Sequence, residues 1–185
     1  MRTSFIVLFL LCSFTILNAQ NHTLIDHVNV WNGTSDRLQK NLQVLIADNL
    51  IVNIGKNITA PEGAIVIDGK GFTLIPGLSD AHVHLTTTMS DSESINEAHW
   101  MYTSIRTAKA AENFLMLGFT TVRDLGGSGV NIALRNAIDK GTVPGPRIFT
   151  AGKSLATTGG HADPTNGMRK DLSGDPGPKE GVVNS

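Results

Sequence analysis

The chain has 185 residues, with 15 basic and 16 acidic side chains, a hydrophobic fraction of 41%, 19 glycines and 7 prolines. That charge balance excludes a broad electrostatic attraction to nucleic acid or anionic lipid. The apolar content excludes wholesale disorder and describes an ordinary, turn-rich globular protein.

Met1 and Arg2 supply a short positive region, and residues 5–11 an almost unbroken apolar run extending weakly to Leu17. This is the layout of a secretory signal peptide. Ser13, Thr15 and Asn18 interrupt the run before the roughly 20 apolar residues that a membrane-spanning helix needs. Residues 1–19 are therefore expected to be removed after Ala19, leaving a secreted or periplasmic protein with no membrane attachment. Cys12, the one cysteine, falls inside the signal, so the mature chain is expected to contain no disulfide even in a compartment that permits one.

Residues 20–76 consist of short β-branched runs broken by turn residues: 24–31, then Asn32-Gly33, 42–47, Asp48-Asn49, and 50–54. The last two runs read as a hairpin, and alternation in residues 64–69 reads as a further half-buried strand. The region is expected to form a small β-sandwich segment. Sequons at Asn21, Asn32 and Asn57 are modified only in a host that glycosylates them.

After Pro76-Gly77 the pattern changes. A strand over residues 78–85 is followed by a helix whose apolar face is expected to carry Ile95, Ala98, Tyr102, Ile105, Ala108, Ala111 and Leu115, ending at Gly118. A strand at 119–124, a glycine-rich turn, a helix at 131–140 and a strand at 147–151 follow. The order β, α, β, α, β predicts a parallel sheet. A (β/α)₈ barrel takes about 250 residues, so residues 77–185 would hold only about three of eight strands of an incomplete, TIM-like barrel; a doubly wound open sheet is the alternative at this length, though a small one with three strands. The Pro- and Gly-containing residues 163–185 read as a long loop.

The chemistry concentrates in Pro76-Gly77-Leu78-Ser79-Asp80-Ala81-His82-Val83-His84-Leu85. Residues two apart in a strand point to the same side, so His82 and His84 present two imidazoles together while Val83 turns into the packing layer. The pair is half of a zinc site, because useful catalytic binding takes three or more protein ligands. Two solvated histidines on a surface strand are the bland alternative; the apolar strand and its place at the head of an α/β series favour the ligand reading.

These residues resemble the amidohydrolase superfamily, and within it the imidazolonepropionase-like and prolidase-like (Xaa-Pro dipeptidase-like) branch. The resemblance is carried by residues 66–71, by 74–84, by Gly118-Phe119-Thr120-Thr121-Val122-Arg123-Asp124 and by Gly145-Pro146-Arg147. It implies a distorted (β/α)₈ barrel with one or two divalent metals, Zn²⁺ the first choice, and a β-sandwich built from both ends of the chain. It places His82 and His84 on the more buried metal. It also implies a later lysine, two histidines and an aspartate, none of which has a counterpart here, so no catalytic base is assigned within this chain. Metal-activated water attacking an amide or peptide bond is the implied reaction, with a small-molecule or dipeptide-like substrate and no nucleic-acid partner; the complete enzyme could be a homo-oligomer. A cyclic-amide hydrolase or deaminase of the same superfamily is the alternative within the class. A non-catalytic, truncated binding or assembly module is the alternative outside it, and the chain alone is expected to be an inactive N-terminal fragment.

His161, in Thr157-Thr158-Gly159-Gly160-His161 after the third strand, has two open readings: a substrate-binding group on the active face, or a solvated loop residue. The charges of Arg123 and Asp124, at the end of the second strand, have two readings: reaching the catalytic face, or pairing with each other structurally, the second being the one expected. Lys153 lies on the third strand and is not assigned as a ligand; His22, His27 and His99 are expected to be structural or solvated.

Overall fold

The computed structural model describes residues 21–87 and 100–184, except 128, 167, 170, 172, 173 and 175. The expected signal peptide, His99, and Ile95 and Ala98 of the expected helix lie outside the described residues. The chain divides into two compact units, one ending at Pro76 and the other beginning at Gly77.

The first unit contains β1 (His22–Val30), β2 (Gln39–Ala47), β3 (Leu50–Gly55), β4 (Ile65–Asp68) and β5 (Thr73–Leu74). They form one sheet in the order β3-β2-β1-β4, with β5 also on β1. The expected hairpin is present: Ala47 pairs with Leu50 across the two-residue turn Asp48-Asn49. Asp48 has φ +52, a conformation that Asp tolerates in such turns. Alternation turns Val28, Val30, Leu42 and Val44 into a common core, edged by Ile25, Ile46 and Leu74. Among the described residues the expected sandwich is represented by this single layer, and Leu50, Ile51, Val52, Ile54, Ile65, Val66 and Ile67 remain exposed.

The second unit runs β6 (Leu78–Val83), a 3₁₀ turn (Leu85–Thr87), α1 (Trp100–Met116), β7 (Phe119–Asp124), α2 (Val130–Asp139), β8 (Arg147–Thr150) and a 3₁₀ turn at Pro178–Glu180. Its three strands are parallel in the order β6-β7-β8, the first strands of the barrel architecture. Val83, Leu85, Ala111, Val122, Leu134 and Ile148 form the core between helices and sheet, with Ala108, Phe114, Phe119, Ile138 and Val143 packed around them. Phe114 and Phe119 meet edge to face at 5.7 Å between centroids, a favoured aromatic geometry.

Two expectations need correction, and a third gains detail. The first strand of this unit ends at Val83 rather than Leu85, because the Leu85 N–H leaves the ladder and donates to the Asp124 carboxylate at 3.1 Å. The buried stripe of α1 is Thr107 and Ala111, flanked by Ala108 and Phe114, while Tyr102 and Ile105 are exposed. The helix carries more apolar surface than three strands cover, and its small residues let it approach the sheet most closely. Finally, the C-terminal loop is tied back: Ala156 and Val182 form a parallel bridge, Val182 is buried, and Thr158 and Asn184 exchange hydrogen bonds of 3.0 and 2.7 Å.

Candidate metal centre

Parallel pairing puts the C-terminal ends of β6, β7 and β8 at one end of the sheet, where α/β folds gather their functional groups. His82 lies in β6 near that end, Val83 turns into the core, and His84 follows directly. Both histidines are exposed, and their rings meet at 5.3 Å between centroids with planes inclined at 71°.

His84 is anchored through one nitrogen. Its Nδ1 lies 2.9 Å from the Gly126 carbonyl oxygen, and since a carbonyl only accepts, Nδ1 carries the proton and Nε2 keeps its lone pair. This backbone bond is the kind that orients metal-ligating imidazoles. The His82 N–H donates to the Asp80 carboxylate at 2.9 Å, fixing the main chain at His82.

Beneath the pair is a fully buried polar network, centred on Asp124 and Asn131, each 0% exposed. Asp124 Oδ2 accepts from the Leu85 N–H, and Oδ1 accepts from the Gly126 N–H at 3.0 Å and from Asn131 Nδ2 at 3.3 Å. Asn131 Nδ2 also donates to Thr150 Oγ1 at 2.7 Å and to the Gly152 carbonyl at 2.9 Å. The Gly127 N–H reaches the same carbonyl at 2.7 Å. One carboxylate and one amide thus join the segments leaving all three strands.

The pairing expected between Arg123 and Asp124 is absent. Neighbouring strand residues face opposite sides, so Asp124 turns inward while Arg123 is exposed. Lys153 Nζ donates to the Lys179 carbonyl at 2.7 Å, a loop tie. His27 lies 3.2 Å from an Asp68 carboxylate oxygen, in the first unit.

Among the described residues no group of three or more His, Cys, Asp or Glu side chains converges as a metal cage. His82 and His84 fit a divalent metal as two of the three or four ligands it takes, both neutral imidazoles, one held with its free nitrogen available. His161 is exposed in the loop after β8, and no hydrogen bond or ring contact joins it to either histidine.

The loop around His161 is organised by Asp163, which is 4% exposed. It accepts from the Gly159 N–H at 2.7 Å, the Thr165 N–H at 2.8 Å and the Thr165 hydroxyl at 2.7 Å. These bonds, the one from Gly159 foremost, hold its carboxyl below the ordinary range, against a smaller opposing effect of burial. A depressed carboxyl stabilises the fold above the unfolded-state value, about 3.9 for Asp, and loses that contribution as pH falls through the lowered folded value. Protonation is thus expected to release this loop only as pH falls through that lowered value, and the Gly159 and Thr165 amide resonances should shift together there in an NMR titration. Amides that stay unmoved while the Asp163 carboxyl takes up its proton would contradict it.

The model of the amidohydrolase family matches residues 73–183. Ochratoxinase of Aspergillus niger is 30% identical over 130 residues, covering 67% of this chain and 27% of that protein. A dihydroorotase of Citrifermentans bemidjiense is 47% identical over 51 residues, 28% of this chain and 12% of that protein. Among solved structures, a Xaa-Pro dipeptidase with bound methionine in the active site is 39% identical with a TM-score of 0.74, covering 89% of this chain and 41% of that one. The chain therefore spans well under half the length of these relatives.

Proposed function

Because the chain belongs to the amidohydrolase family, we propose that it is the N-terminal part of an exported, divalent-metal-dependent hydrolase of carbon–nitrogen bonds, acting on dipeptide-like or acylated amino-acid substrates. The observation that carries this reading is the His82–His84 pair at the C-terminal end of a parallel strand, with His84 fixed through Nδ1 on the Gly126 carbonyl. His82 and His84 would hold the metal, with Zn²⁺ the first choice for two imidazoles. Bound there, the cation supplies Lewis acidity toward a carbonyl and lowers the pKa of water to about 7. The chain's own task is to orient: β6 sets the two imidazoles on one side, and the Gly126 carbonyl selects the tautomer of His84. His161 is proposed to meet substrate groups from the loop after β8. The remaining ligands and the proton-transferring carboxylate belong to the rest of a full-length barrel, as the coverage of 27% and 41% of two relatives suggests.

The amidase reading rests on the likeness to the dipeptidase and ochratoxinase. The shorter but more identical match to dihydroorotase favours a cyclic-amide hydrolase as the second reading. To test the two, the protein expressed from its complete reading frame is stripped of metal, reloaded with Zn²⁺, and assayed on Xaa-Pro dipeptides, N-acyl amino acids and cyclic amides. Metal-dependent release of a free amino acid is the expected result. Ring opening alone favours the second reading, ammonia release a deaminase, and zinc binding without any turnover a non-catalytic module.

Export is proposed from residues 1–19. N-terminal sequencing of the protein recovered outside the cytoplasm is expected to begin at or near Gln20; an intact Met1 on that material would overturn it.

A further inference from the structure

Asp124 plays no part in the ligand pair, yet it is a fully buried charge whose carboxylate accepts three hydrogen bonds. It sits at the last position of β7 with no exposed surface. Its two oxygens divide their work. Oδ2 takes the Leu85 N–H, the peptide directly after His84, and Oδ1 takes the Gly126 N–H, whose own carbonyl takes the His84 ring. One carboxylate therefore grips His84 from both directions: the main chain just beyond it and the acceptor of its side chain.

We propose that Asp124 is a positioning residue for the metal pair, holding His84 through the Gly126 peptide in the Nδ1–H tautomer with Nε2 open. The proposal rests on the reading of His82 and His84 as metal ligands and extends it one step into the interior. The chemistry requires an acceptor at both oxygens, which Asp provides and Asn does not. An amide in place of the carboxylate sets an NH₂ against either the Leu85 N–H or the Gly126 N–H and Asn131 amide, so one grip opens in either orientation. Where the Gly126 grip is the one that opens, only the Gly127 N–H bond to the Gly152 carbonyl still orients the peptide that carries the Gly126 carbonyl, so its hold on the tautomer weakens and either ring nitrogen of His84 can carry the proton.

The buried neighbour Asn131 separates positioning from mere stability. It is equally buried, and it ties α2 to β8 through Thr150 and Gly152, but it touches neither His84 nor the Leu85 N–H. Alanine at Asn131 should destabilise the unit while leaving both main-chain grips of Asp124 in place.

The test uses nitrogen-15 NMR of the His84 ring in metal-free protein, with zinc titrations by calorimetry alongside. The wild type is expected to show a protonated Nδ1 and an unprotonated Nε2. In Asp124→Asn this signature should give way to mixed tautomers, and zinc affinity should fall by about 10–100-fold, the effect typical of losing an outer partner of a ligand. Asn131→Ala should lower the melting temperature yet keep the wild-type tautomer and zinc affinity within about threefold. Equal effects of the two variants on tautomer and affinity would make Asp124 a structural residue only and overturn the proposal. So would an Nε2–H tautomer in the wild type, a measurement that needs no variant to fold. His82→Ala keeps the two ideas apart: if zinc binds it as tightly as wild type, the ligand reading fails, whereas the dependence of the His84 tautomer on Asp124 is read without metal.

Discussion

Alanine at His82 or at His84 is expected to remove the metal and the hydrolytic activity of the full-length enzyme together, while leaving the fold intact. Both side chains are exposed and neither belongs to the apolar core of its unit, so the stability change should stay within about 0.5 kcal/mol at His82, the usual range for surface substitutions, and within about 1.5 kcal/mol at His84, which also gives up its bond to the Gly126 carbonyl. A catalytic site with three or four protein ligands does not retain its metal usefully after losing one. The Lewis acid is worth several kcal/mol of transition-state stabilisation, so activity should fall on the order of a thousandfold or more, at about 1.4 kcal/mol per factor of ten. Metal analysis of the purified variants, beside circular dichroism and turnover, decides the matter. Full metal occupancy in both variants would show that the pair is ornamental.

Gly126→Ala is expected to be severely damaging to the second unit. A β-carbon there would fall on Ser154, meeting its hydroxyl and lying 2.6 Å from its backbone nitrogen and 2.8 Å from its Cα. Backbone atoms do not move aside cheaply, and overpacking of this kind costs about 1–3 kcal/mol. Displacing the residue also breaks its N–H bond to Asp124 and its carbonyl bond to His84. Asp124 Oδ1 keeps its donor from Asn131, so the loss there is that of one hydrogen bond to a charged group, about 1.5–3 kcal/mol. The combined loss is a large part of the roughly 5–15 kcal/mol that holds a typical domain together. Gly141→Ala serves as the comparison. Gly141 has φ +69 and open space where the β-carbon would go, so only the left-handed backbone penalty of about 1–2 kcal/mol applies. Urea melts in which the two variants lose the same stability would show that the contact with Ser154 is not what matters at Gly126.

Local patterning carried much of this far from the coordinates. The Asp48-Asn49 hairpin, the limits of β7 and the alternation of strands with helices after Pro76 follow from turn residues and periodicity. So does the shared side of His82 and His84, because a strand forces a period of two. What periodicity could not supply is partnership over distance. Which stripe of α1 is buried depends on what the sheet offers, and the choice of Thr107 and Ala111 over Tyr102 and Ile105 is made by close approach, not by hydrophobicity alone. Asp124 next to Arg123 looks like half of an ion pair in one dimension. Its true partners are Leu85, Gly126 and Asn131, of which Leu85 is 39 residues away. The one local hint is the glycine pair that follows it, Gly126-Gly127, which lets the backbone fold back onto the carboxylate.

The bridge between Ala156 and Val182 also bears on how such a protein can change over generations. It clamps both ends of the segment that carries His161 and leaves the described residues between them out of the sheet and its apolar core. Lengthening a loop already closed in this way costs only about 0.6 kcal/mol for each doubling. Insertions between the clamp points, away from the Asp163 turn that organises the loop, can therefore accumulate with little penalty to folding, at the same end of the sheet as the two histidines. Length can change there from one generation to the next while β6, β7 and β8 stay as they are.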